Sequence, residues 1–463
     1  RDDLADTPLH TKLLQEIAAL RAKPAIGSTQ EDRHPGTPQM VDLIHPSLYA
    51  YERGKSFVLP NVGANVKQMP DWDSFLGVDG VAEAKYSATS TKAPRFSGPY
   101  SKDGLQWLPA EFQVTADGKS CEINSYINSL HPKHEANLYQ SIADLFCHAV
   151  PLLEEVLAEA GEHTQGAGKS PIREREMRIP VVGEWWEGEP RAQEEDESDS
   201  AYVMYVEEWR DDSANKTFIN PTVPRFEGPP SYTRERAQVN LRNRPLQVIC
   251  KIASMELAAG ESFGGGVWHV EGTLGERIVA TACYYLECEN VTGGELAFRT
   301  SVAEPPYEQG DDAGVMQMFN LENEEALVQD AGSCITRRGR VLAWPNTKQH
   351  RVCPVHLLDS TQPGKRTICC FFLVDPTLRV RSTATVPPQQ LAWVTDSINP
   401  ILSTAVGMGD IAIQGKVTEQ LASPSLLTYE AACERRARLM AERRAVEEDD
   451  ENYMVRQFSL CEH

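Results

Sequence analysis

LQVICKIASMEL, residues 246–257, is the first of a series of β-branched and aromatic runs that continues through 277–286, 295–299, 340–344 and 366–374, with Gly, Pro and Asn turns between them. Short strands punctuated in this way predict an antiparallel barrel or jelly roll. Upstream, residues 138–157 repeat apolar side chains at three- and four-residue steps (Ile142, Leu145, Phe146, Ala149, Leu153, Val156). That period predicts an amphipathic helix, interrupted or kinked at Pro151, packed on the sheet. Residues 1–110 carry many Pro and Gly breaks, with a possible helix near 13–21, and read as a segment wrapping the core. Residues 111–245 form a helical and mixed region whose run 194–199, EEDESD, has the composition of a solvated, mobile loop. The barrel occupies 246–390, and 391–463 is a helical tail, helical by composition over 427–444 and carrying a second solvated acidic run at 447–451. These segments are expected to integrate into one domain of α+β class.

Of the 463 residues, 41% are hydrophobic and 24% charged, as in a soluble globular protein, and no stretch approaches the ~20 apolar residues that cross a bilayer. A formal net charge of -22 opposes the clustered Lys and Arg contacts that hold phosphate backbones and anionic lipid, so neither nucleic acid nor membrane is an expected partner. Eleven cysteines scattered from Cys121 to Cys461, without a CxxC pair, suit a reducing, cytoplasmic setting rather than a secreted disulfide scaffold. The first residue is Arg1 rather than Met, which leaves room for a leader upstream. Oligomeric state is not legible.

GGGVWHVEG, residues 264–272, sets His269 and Glu271 two positions apart, so on a strand both side chains point to one face and can share a metal. Two imidazoles and one carboxylate make a facial set that leaves three coordination positions open, and His350, in the strand–turn–strand WPNTKQHRV, is the best third ligand. Arg366 begins the last strand on the face of Ile368, Cys370 and Phe372. If that face points inward, its guanidinium needs a buried anion, either a co-substrate carboxylate or a structural Asp or Glu. Lys251, on the strand feeding the HxE turn, needs an anion if inward and is an ordinary surface lysine if outward. Tyr285 shares a face with Thr281 and Cys283, and Tyr284 with Ala282, so either tyrosine can line the pocket and bond a carboxylate, with core packing as the alternative. Asn346 and Gln349 are placed to orient His350 or to form the turn. His131 and His134, at a helix start, read as structural.

Taken together, the HxE motif, the turn and strand GGELAFR at 293–299, QHRV at 349–352 and the later Arg366 resemble the double-stranded β-helix (jelly-roll) core of the Fe(II)/2-oxoglutarate oxygenases. More narrowly, WHVEG, ERIVATACYYL, WPNTKQHRV, PGKR, FFLVDP, VPPQQ, INSYINSLHP and the terminal FSLCEH resemble the largely fungal DUF4246 family over nearly the whole chain. The resemblance implies a catalytic core at 246–390 with surrounding helices, and Fe(II) at His269, Glu271 and His350. It also implies 2-oxoglutarate at Arg366, with Lys251, Tyr284 and Tyr285 as further candidates around it, and O2 consumed as the co-substrate is decarboxylated to succinate and CO2. Fungal enzymes resembling this family act on small aliphatic amino acids, including oxidative aziridine closure of valine. A small amino acid, hydroxylated or closed into a ring in specialised metabolism, is therefore the implied substrate. Two other readings stay open: a Jumonji-type protein hydroxylase or demethylase, which usually anchors its co-substrate with a lysine, and a non-catalytic jelly-roll binding protein.

Overall fold

Thr7 starts the first helix, α1 (Pro8–Arg21), by accepting the His10 N–H on its side chain, with Pro8 in the first turn where its missing N–H costs nothing. After it come β1 (Met40–Ile44), β2 (Ala110–Val114), β3 (Cys121–Ile123), α2 (Ala136–Glu162), β4 (Pro245–Leu257), β5 (Ile278–Glu289), β6 (Leu296–Ser301), β7 (Val341–Pro345), β8 (Gln349–Val352), β9 (Gly364–Val374), α3 (Leu391–Ala405) and α4 (Tyr429–Met454). This computed structural model describes residues 1–24, 28, 30–59, 81–82, 104–162, 186–215, 217–218, 239–273, 275–302, 304–305, 312–405, 416, 419–421, 423–454 and 457–459. Residues 460–463 of the terminal motif and most of 60–103 of the N-terminal segment lie outside the described residues.

Seven strands form one antiparallel sheet in the order β7-β5-β9-β4-β2-β3, with β1 joining β4 on the same edge as β2. Strand alternation sorts its side chains into two layers. Leu246, Val248, Cys250 and Ile252 of β4, Ala280, Ala282 and Tyr284 of β5, and Cys369, Phe371 and Leu373 of β9 share a buried cluster with the apolar stripe of α2 and with Leu13 and Ile17 of α1. Phe146 of α2 meets Phe371 edge-on at 5.2 Å, each such large side chain contributing roughly 1.5–3 kcal/mol by burial. Pro151 sits inside α2, which runs on past it to Glu162.

The opposite, inner face carries Ile249, Cys283, Tyr285, Cys370 and Phe372, which pack with Leu296 and Phe298 of β6 and Trp344 of β7. Leu296–Ser301 is itself the middle strand of a second sheet, between Val328–Cys334 and β8. Both faces of the main sheet are therefore covered, which is why β4, β5 and β9 read as near-continuous apolar runs rather than as strict alternation.

Two compact units result. One comprises Arg1–Pro171, Arg236–Phe298 and Gly332–Glu448 and holds the main sheet with α1 and α2; the other comprises Ile172–Glu235, Arg299–Ala331 and Asp449–His463, with a core of Val302, Val315, Leu321, Leu327 and Phe458. The main sheet draws strands from three of the four sequence segments: β1 from 1–110, β2 and β3 from 111–245, the rest from 246–390. Pairing in space thus overrides the linear division.

The run 194–199 lies outside regular structure up to Ser198, which caps a helix that begins at Asp199 (Asp199–Asp211), and Glu197 pairs with Arg191 at 2.8 Å. The tail helix runs on through 447–451. The ten described cysteines are free thiols, and no helix among the described residues is long and apolar enough to cross a membrane.

Candidate metal centre

β8 presents His350 on a regular strand, but the HxE segment does not form the strand expected for it. Residues 264–272 are irregular, and only His269 makes a bridge: its N–H donates to His350 O at 3.1 Å and its O accepts the His350 N–H at 2.9 Å. Gly265 supplies a reason. It sits at φ +97°, where a Cβ would lie 2.8 Å from Val352 O, so the segment passes closer to β8 than a ladder of side-chain-bearing residues allows. The one bridge still sets the two imidazoles side by side, with ring centroids 4.4 Å apart.

Glu271 is aimed by Asn346. The Asn346 Oδ1 accepts the Glu271 N–H at 2.8 Å, while its Nδ2 donates to Glu271 O at 2.8 Å and Ile278 O at 3.1 Å. Asn346 therefore clamps the backbone of the carboxylate ligand, a correction to its reading as a support for His350. Gln349 is buried beside His350 in β8.

Glu271 Oε1 lies 3.4 Å from His350 Nε2 and 4.0 Å from His269 Nε2. Three ligand atoms in a facial set, each about 2.1 Å from a divalent metal, stand about 3 Å apart, so small side-chain rotations close this set on an ion. His269 Nδ1 donates to Val267 O at 2.9 Å, which fixes the tautomer and leaves the Nε2 lone pair facing its partners. Burial works to raise the Glu271 pKa, but the hydrogen bond with His350 and the neighbouring His269 and Lys251 hold it down to about 2, so the carboxylate is ionised. His350 is buried against Trp344, with rings 4.9 Å apart, while His269 and Glu271 keep a partly open side. Two imidazoles, an ionised carboxylate and an open side suit a borderline divalent ion such as Fe(II).

Arg366 is buried and, with Ile368, Cys370 and Phe372, faces inward. Its Nη1 donates to Gly294 O at 2.8 Å and to Thr336 Oγ1 at 3.1 Å, and among the described residues no carboxylate pairs with it. Gly294 is at φ +67°, and a Cβ there would run into the guanidinium. A buried cation without a counter-ion is costly, and a bound carboxylate offsets that cost. Along β9, Arg366 stands four residues from Cys370, about 13 Å by strand rise. Ile368 and its cross-strand partner Tyr285 lie between them.

Lys251 is on the inner face, opposite Cys370 in the register, and is half-buried. Tyr285 also faces inward and is buried, close enough to Arg366 to feel its charge. Tyr284 does not line this wall: it points to the helix-covered layer, where its hydroxyl and His10 Nδ1 are 2.5 Å apart. Lys365, on the outer face, pairs with Glu287 at 2.6 Å. His131 and His134 stack on each other at 3.9 Å, with His131 edge-on to Trp393. Sequence reasoning overlooked Thr336, the Gly294 carbonyl and a second cluster, His34, Asp42 and His45, whose ligand-type atoms also converge. The one available signal for the last was a carboxylate inside the apolar run MVDLI.

Asn346→Ala is expected to lower metal affinity by about 10–100-fold, the usual cost of losing a group that orients a ligand, with the fold retained. Competition against a fluorescent chelator measures it; unchanged affinity would mean Glu271 is held by something else.

A family model described as Protein of unknown function (DUF4246) matches residues 1–397. The chain belongs to the DUF4246 family. No curated protein matches it. Similar solved structures include IDO from Bacillus thuringiensis, 10% identical over 28% of this chain and 46% of that one, with TM-score 0.19. An oxidoreductase of the 2OG-Fe(II) oxygenase family from Burkholderia pseudomallei is 12% identical over 28% of this chain and 45% of that one, with TM-score 0.17. The Fe(II)/(alpha)ketoglutarate-dependent dioxygenase TqaL is 12% identical over 80% of this chain and 90% of that one, with TM-score 0.21. This DUF4246 chain spans less than half the length of the first two. TM-scores this low do not define a shared fold, so the chemistry of the site rests on its own residues.

Proposed function

We propose that this chain is a non-haem Fe(II)- and 2-oxoglutarate-dependent oxygenase with a double-stranded β-helix core, acting on a C–H bond of a small molecule in the cytoplasm, with a small amino acid as the first candidate. The observation that carries the proposal is a converging His269, Glu271 and His350 set together with Arg366, buried on the inner face of the main sheet with no carboxylate partner among the described residues. In this reading the triad holds the iron, and Arg366, braced by Gly294 O and Thr336, holds the far carboxylate of 2-oxoglutarate, with Tyr285 alongside. Iron and 2-oxoglutarate, when bound, would supply the oxidation: one oxygen atom of O2 enters succinate as 2-oxoglutarate loses CO2, and the other either enters the substrate or leaves as water with two hydrogens taken from it.

The protein's share is binding, orientation and exclusion of water. Trp344 and Phe298 wall the His350 side with rings 5.6 Å apart, and the Val267 carbonyl keeps His269 in its ligating tautomer. The net charge of -22 speaks against a nucleic-acid substrate.

Succinate release with Fe(II), 2-oxoglutarate and a panel of free amino acids, small organic acids and peptides tests the reading. Turnover is expected to be slow with co-substrate alone and to rise several-fold with a small amino acid that fills the pocket and positions its C–H bond. Stimulation only by a histone-like peptide or a folded protein would favour the Jumonji-type reading. No succinate under any condition, with metal and co-substrate both bound, would favour a binding protein.

A further inference from the structure

We infer that Asp42 and Lys251 form the substrate-recognition pair of this site and take, respectively, the ammonium and the carboxylate of a zwitterionic α-amino acid; the inference rests on the oxygenase reading above. The register of β1 on β4 sets Asp42 opposite Ala253 and therefore on the inner face, one pleat along from Lys251. Such diagonal neighbours are about 7–8 Å apart at the backbone. Asp42 is buried; its Oδ2 accepts from His34 Nδ1 at 2.8 Å and lies 3.8 Å from Arg436 Nη1, which is already engaged by Asp32 at 2.7 Å.

Asp42 Oδ1, however, is buried with no hydrogen-bond partner among the described residues. Such groups are rare in folded proteins and point to something that binds there. The ammonium of Lys251 likewise makes no hydrogen bond or ion pair among the described residues, although it stands close enough to help lower the pKa of both Asp42 and Glu271. Two opposite charges thus share the inner face without meeting. A zwitterion joins them, its amine donating to Asp42 Oδ1 and its carboxylate accepting from Lys251.

A metal at His34, Asp42 and His45 fits less well. The Ser47 N–H donates to His45 Nδ1 at 3.2 Å, which leaves the proton of the neutral ring on Nε2, and Arg436 and Lys251 already bring two positive charges to the carboxylate. A zwitterion carries its own anion to Lys251, which a metal ion does not.

Calorimetry on protein loaded with Mn(II) and 2-oxoglutarate decides the matter. The probes are L-alanine and L-valine, each beside its des-amino acid and its primary amide. Wild type is expected to bind at least one of the two amino acids about tenfold or more tighter than its analogues. In Asp42→Asn the preference for the amino acid over the des-amino acid should collapse to within about threefold, and in Lys251→Met the preference for the acid over the amide should do the same. One Mn(II) per chain is the control for an intact site. A purely structural Asp42 would lower the melting temperature and leave these preferences in place, which overturns its role. If Asp42→Asn does not fold, Lys251→Met decides alone. Weakened 2-oxoglutarate binding in place of the lost acid preference would instead make Lys251 a co-substrate anchor, and no heat from either amino acid on wild type also overturns the inference. Succinate release by wild type judges the oxygenase reading separately.

Discussion

His350→Ala is expected to leave a folded protein that retains no iron and releases no succinate above background. The fold should survive because the bridge to His269 is made by the backbone N–H and C=O of residue 350, which alanine keeps. Alanine gives up the ring's packing against Trp344 at 4.9 Å, but it also deletes an Nδ1 that is buried with no hydrogen-bond partner among the described residues, which offsets part of that cost. The loss at the metal is large. Groups that merely orient a ligand are worth about 10–100-fold in affinity, and His350 is one of the converging donors themselves, so a fall of at least about a hundredfold is expected. Metal content after loading and gel filtration, with circular dichroism as the folding control, measures it. Full metal occupancy in folded His350→Ala would remove the central claim.

Arg366→Met should separate stability from function in opposite directions. In the free protein the guanidinium is buried among Gly294 O, Thr336 and apolar neighbours, with no anion among the described residues. Replacing an uncompensated buried charge by a flexible apolar side chain of similar length is expected to leave the melting temperature of the free protein unchanged or higher. Affinity for 2-oxoglutarate should fall by at least about tenfold, since two charge-assisted hydrogen bonds at roughly 1.5–3 kcal/mol each are lost. Metal binding should persist, because no triad member hydrogen-bonds Arg366. Arg366→Lys restores a charge without the fork and should recover only part of the affinity. Calorimetry with 2-oxoglutarate on the Mn(II)-loaded variants reads this out; wild-type affinity in a folded Arg366→Met protein would move the anchor elsewhere, with Lys251 first in line.

Elements carried by local pattern were legible without coordinates. The apolar runs 246–257, 277–286 and 366–374 became β4, β5 and β9, and the three- and four-residue period around Phe146 became α2, because period and β-branched content act on the chain wherever it ends up. His269, Glu271, His350 and Arg366 stood out by chemistry and order. Tertiary structure decided the rest, for physical reasons that can be named. Alternation offers two faces and does not say which is inner; α2 covered one of them, which sent Tyr284 to the helix layer and Arg366, Lys251 and Tyr285 inward. The HxE segment lies alongside His350 through one bridge and a close backbone approach at Gly265, a contact between distant stretches that no local pattern encodes. Asp42 reaches the inner face only because β1 pairs with β4 across some two hundred residues of chain, and a pairing so remote in sequence is specified by the surfaces that meet, not by either strand alone.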